Sequence, residues 1–111
     1  MDEMFGVAER DEGGSVVVAL SGEIDVAAAP TVREQLEQVA TDRPLIVDLT
    51  QVTFIDSTAL GVLIGAHKQC DSRGTPMRLV VSEPRILKVF EITGLTDLFT
   101  IVPSLAEATS A

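Results

Sequence analysis

The run LIVDLTQVTFIDSTALGVLIGA, Leu45 to Ala66, decides how this chain folds. Leu45-Ile46-Val47-Asp48-Leu49 is short and almost continuously apolar, the pattern of a strand covered on both faces, and so predicts the centre of a sheet. After Asp56 the apolar residues recur at helical spacing as far as Arg73, where Gly74, Thr75 and Pro76 stop the helix before a second strand, Met77 to Val81. Strand, helix and strand in this order imply a right-handed parallel crossover.

Upstream, Phe5 and Val7 alternate with Gly6 and Ala8. The β-branched run Ser15 to Leu20 follows the turn residues Asp11-Glu12-Gly13-Gly14, predicting an antiparallel hairpin. Val32, Leu36 and Val39 mark an amphipathic helix from Ala29 that ends before Thr41, with Pro30 in its first turn. Downstream, Pro84 opens a helix carrying Leu87, Phe90 and Ile92, with Gly94 as its stop, and Phe99 to Val102 forms a last short strand. Ser104-Leu105-Ala106-Glu107 matches a capping box and predicts a short closing helix. The expected class is α/β: one domain over residues 1–111, with a mixed, mainly parallel β-sheet, an N-terminal antiparallel hairpin and about four α-helices.

Composition narrows the function. The 111 residues include 8 basic and 17 acidic side chains, a net charge of −9, and no Trp or Tyr. Phosphate backbones and anionic headgroups are repelled by such a chain, and bases find no broad stacking surface, so neither direct nucleic-acid nor membrane binding is expected. Met1-Asp2-Glu3-Met4 lacks the basic flank and apolar region of a signal peptide, and Cys70 stands alone, which points to the cytoplasm.

The start of the central helix is unusual in three ways. Asp56, Ser57 and Thr58 crowd oxygens where unpaired N–H groups and the helix dipole favour them, although capping requires only one. Leu60, Leu63, Ile64 and His67 form the core stripe, leaving Thr58, Ala59, Val62 and Ala66 partly outside it. Such an apolar strip is either a partner surface, in which case a charge at Val62 would weaken association and spare the fold, or the seat of a neighbouring helix. Gly61 and Gly65 each cost about 0.8–1 kcal/mol relative to Ala in a helix, a cost that close approach to the sheet would offset.

Leu20-Ser21-Gly22-Glu23-Ile24-Asp25, Val47-Asp48-Leu49, Phe54-Ile55, Asp56-Ser57-Thr58-Ala59-Leu60-Gly61 and Phe90-Glu91-Ile92-Thr93-Gly94-Leu95 occur in order along the chain. Together they resemble the STAS-domain anti-sigma factor antagonists of bacteria, over essentially the whole length. The resemblance implies that an anti-sigma factor of the serine-protein kinase type phosphorylates Ser57 and that a serine phosphatase reverses this. It implies too that the unphosphorylated form binds the anti-sigma factor and frees a sigma factor. Thr58 is the alternative acceptor, and Asp25 and Asp56 are implied to recognise the partner; with Ser57, Thr58, Ala59 and Val62 they make up the expected partner-binding set. An alternative within the family is a non-switching STAS scaffold in a larger signalling complex.

Other chemistries find little support. His67, the sole histidine, lies ten residues beyond Ser57 on the same helix, about 15 Å away at 1.5 Å per residue, so no hydrolase triad forms. His67 and Cys70 supply two metal ligands where zinc sites use three or four, and no glycine-rich phosphate loop occurs, so neither metal nor cofactor is expected. A receiver-like domain phosphorylated on Asp48, read as the end of a buried strand, is the remaining rival. It lacks the acidic metal-binding pair and the lysine such domains use.

Overall fold

The computed structural model describes residues 4–39 and 42–109. Met1 to Glu3, read above for targeting signals, Thr41, the expected limit of the first helix, and the outer ends of the 1–111 domain lie outside the described residues. The elements are β1 (Phe5–Glu12), β2 (Ser15–Ile24), α1 (Ala29–Gln38), β3 (Leu45–Ile55), α2 (Ser57–Arg73), β4 (Met77–Val80), α3 (Pro84–Ile92), β5 (Thr100–Val102) and α4 (Leu105–Thr109), with a 3-10 turn at Leu95–Asp97. The strands lie in the order β1-β2-β3-β4-β5, with β1 antiparallel to β2 and every other pair parallel. The fold is therefore the mixed α/β sheet expected, with β3 at its centre.

Alternation along the central strands divides the core. Val16, Val18, Leu20, Leu45, Val47, Leu49 and Leu79 face the buried sides of α1, α2 and α3. Val17, Ile46 and Val80 face the other way and pack under Ala108 of α4. That contact explains why a helix of five residues persists: its capping box, with the Ser104 hydroxyl accepting from the Glu107 N–H at 3.2 Å, is reinforced by burial.

β3 is longer than its apolar run suggests. Relative to β2 it carries extra residues, one between the partners of Ala19 and Ser21 and one between those of Gly22 and Glu23. At the first bulge the Asp48 carboxylate accepts the Thr50 N–H at 2.9 Å, so an amide that leaves the regular ladder keeps a partner. Asp48 thus sits in mid-strand, seven residues before the end of β3, which corrects its reading as a strand-end aspartate and with it the receiver-like placement. Gly22, at φ 79°, passes so close to Met4 that a Cβ would collide with the Met4 carbonyl oxygen; the glycine of Leu20-Ser21-Gly22 is a backbone requirement.

The apolar strip of α2 is covered by its own chain. Ala59 is 2% exposed and Val62 4%, and Ala66 is buried as well, because α1 lies alongside α2 on the same face of the sheet. The neighbouring-helix explanation holds, and Ala59 and Val62 leave the set of side chains a partner could touch. Gly61 and Gly65 do not meet the sheet either. They are exposed and line an open cleft with Arg33, Leu36 and Glu37 of α1. A Cβ at either glycine would meet nothing within 4 Å. Gly61→Ala and Gly65→Ala are each expected to raise stability by about 0.5–1 kcal/mol, read as a higher urea midpoint at constant slope; a lowered midpoint would mean that the added methyl crowds α1.

Candidate functional site

The parallel pairing of β2 with β3 ends at Ile24 beside Ile55. The next residue on each strand is an aspartate, Asp25 and Asp56, and the Asp56 N–H donates to the Ile24 carbonyl at 3.3 Å. Two carboxylates from separate parts of the sequence therefore stand at neighbouring strand ends, on the carboxyl-terminal edge of the sheet where α/β folds place their sites.

Both aspartates have local work. One Asp25 oxygen accepts the Ala27 and Ala28 N–H groups at 3.0 and 3.2 Å, shaping the turn into α1, whose own N-cap residue Ala28 has no side-chain oxygen to offer. Asp56 is the N-cap of α2: extended at φ −114°, it accepts the Ala59 N–H at 3.0 Å. The crowding of three oxygens at this helix start is thereby resolved, since one aspartate does the capping. Ser57 is the first helical residue and Thr58 the second; both are exposed, and their hydroxyls take no part in the cap.

Of the expected set, the structure brings Asp25, Asp56, Ser57 and Thr58 to one edge, and buries Ala59 and Val62. Val26 and Phe54, 67% and 49% exposed, stand at the same edge beside Asp25 and ahead of Asp56. The sequence reading assigned neither to the partner-binding set, because exposure of an apolar residue in a strand or turn has no signature of its own. His67 is half-buried and packs edge-on against Phe99, ring centres 5.6 Å apart, and Phe99 in turn meets Phe90 at 5.8 Å. Cys70 is buried in the core, so this pair serves packing.

Comparison with known proteins agrees with this architecture. The STAS domain family model matches residues 7–108. The anti-sigma-B factor antagonist of Listeria monocytogenes is 41% identical over 103 residues, covering 91% of this chain and 90% of that protein. The Bacillus subtilis protein of the same name is 38% identical over 98 residues, covering 87% and 90%. The crystal structure of an anti-sigma factor antagonist from Mycobacterium paratuberculosis superposes with a TM-score of 0.86 at 29% identity, over 94% of this chain and 90% of that one. A sheet with one antiparallel edge, an aspartate-capped serine at the start of its central helix, and relatives matched along nearly their full length lead to one conclusion: the chain belongs to the STAS-domain anti-sigma factor antagonist family.

Proposed function

We propose that the unphosphorylated chain binds an anti-sigma factor of the serine-protein kinase type through the edge formed by Asp25, Asp56, Ser57 and Thr58, and so frees a sigma factor. Phosphate placed on Ser57 ends that binding, and a serine phosphatase restores it. The chain is then a substrate and a ligand with no catalysis of its own, working in the cytoplasm without touching nucleic acid or membrane. The observation that carries this reading is the state of Ser57: an exposed hydroxyl on the first residue of a helix whose cap is supplied by its neighbour. A kinase can take that hydroxyl without unmaking the helix. Relatives named as anti-sigma-B factor antagonists support the class of partner. The net charge of −9 argues against a phosphate-backbone ligand, and among the described residues no helix is long and apolar enough to cross a membrane.

The test is phosphorylation by a purified anti-sigma factor kinase, followed by intact mass and peptide mapping. One phosphate is expected, at Ser57, and Ser57→Ala should accept none. Phosphate persisting at Thr58 in that variant would move the switch to the neighbouring hydroxyl, whereas a chain that is bound but never modified would be a non-switching scaffold.

A further inference from the structure

The sheet has an inner edge with no strand beside it. β4 pairs with β3 only from Leu45 to Asp48, whereas β3 runs on to Ile55, so residues 50–55 have β2 on one side and no strand on the other. Among the described residues no backbone group outside β2 bonds to this stretch; the Thr50 N–H is taken by the Asp48 carboxylate. The outer edges of the sheet are guarded. β1 carries Glu9, Arg10, Asp11 and Glu12, and β5 is only three residues long and is followed by Pro103. Thr50-Gln51-Val52-Thr53-Phe54-Ile55 has neither charge nor proline, and its β-branched and aromatic residues favour strands. An edge left unguarded inside a sheet is shaped for another strand to join it.

A cleft of about 240 Å³ lies against that edge, with Thr50, Gln51, Val52 and Thr53 on one wall and Glu83 and Arg85 on the other. Four strand residues span about 13 Å at 3.3 Å each, room for a short extended segment. A second folded copy would bring its own helices with any strand it offered, and the wall at Glu83 and Arg85 stands in their way. Charge narrows the occupant further. Glu83 Oε1 accepts the Arg85 N–H at 3.2 Å and caps α3, while the exposed Arg85 guanidinium has no ion-pair partner among the described residues. A carboxylate therefore suits the Arg85 end of the cleft, and an uncharged residue the part that passes Glu83. We infer that this edge binds an extended peptide segment of another protein by strand addition, its main chain bonding to β3 and its Asp, Glu or terminal carboxylate meeting Arg85. The inference is independent of the switch proposed above, since Asp25, Asp56, Ser57 and Thr58 do not line the cleft.

Acetylated hexapeptides of alternating Val and Thr, one ending in a free Asp and one in a Lys amide, test it by NMR on the isotope-labelled chain. The Asp peptide should shift the amide signals of residues 50–54, and the Lys peptide should bind about tenfold more weakly. Arg85→Ala should weaken the Asp peptide by a similar factor while leaving the melting temperature at the parent's value, because the cap of α3 uses only the backbone N–H of this residue. Of two Asp peptides N-methylated at alternate residues, one should lose binding and the other keep it, since only one set of main-chain groups can face β3. No shift at residues 50–54, or binding that ignores N-methylation, overturns strand addition. Shifts confined to β1 or β5 would mean ordinary pairing at an outer edge and overturn it too, and equal affinity for the Asp and Lys peptides would strike Arg85 from the site. Shifts at residues 50–54 that grow with protein concentration alone would give the edge to a second copy and sink the inference.

Discussion

Phosphate on Ser57 is expected to reduce affinity for the anti-sigma factor on the order of 100-fold, and Ser57→Asp to reproduce part of that loss, while the melting temperature moves by only a few degrees. A phosphate on Ser57 adds about −1.5 to −2 charges at pH 7, and the dipole of α2 stabilises negative charge at this end by about 0.3–1 kcal/mol. In the free chain the added charge stands at an exposed position in water, and the cap is secure because it belongs to Asp56. Within a complex the same charge is stripped of water beside Asp56, with Asp25 at the adjoining strand end, so repulsion and lost hydration act together. A penalty of about 3 kcal/mol gives the stated loss, at tenfold per 1.4 kcal/mol. Aspartate carries one charge and reproduces part of the effect of phosphate. Melting and affinity should be measured side by side. A variant that melts far earlier and loses binding in proportion would show that the switch works by unfolding the start of α2, and the electrostatic account would fail.

Val62→Glu is expected to damage the fold itself, costing about 3 kcal/mol or more. Against the 5–15 kcal/mol by which ordinary domains are stable, that is enough to lower the urea midpoint sharply. The valine is 4% exposed between α1 and α2, where a carboxylate would lose its water. Any loss of partner binding in this variant would then follow from unfolding, and the variant cannot map an interface. A midpoint equal to that of the parent would mean that the glutamate escapes through the cleft lined by Gly61 and Gly65 to solvent. In that case the burial assigned here to the α1–α2 contact would be wrong.

The fate of Val62 shows where reading a sequence stops. Spacing alone placed Leu60 and Leu63 on a core stripe, and both are buried; it could not show that α1 covers a second side of α2, because a helix buried against two neighbours carries a wide apolar surface with no mark distinguishing neighbour from partner. The two glycines misled in the same way. Their cost was legible, but the clearance around them depends on where α1 lies. Asp48 was read as the end of the buried strand, yet β3 continues to Ile55, because Leu49, Val52 and Ile55 stay buried in the helix-side core while the polar Thr50, Gln51 and Thr53 between them lie partly or wholly exposed.

Local chemistry determined the element order, the central place of β3, the helix stops at Gly74 and Gly94, and the capping box of α4, because each depends on residues a few positions apart. The ordered motifs likewise pointed to Ser57. Tertiary structure alone decided which of three adjacent oxygens caps α2, that Asp25 comes to stand beside Asp56 although 31 positions separate them in the chain, and that Phe54 is left uncovered while Val62 is sealed. The physical reason is that exposure and proximity are properties of packing between distant segments. A sequence states which side chains can be buried, and the arrangement of the helices over the sheet determines which of them are.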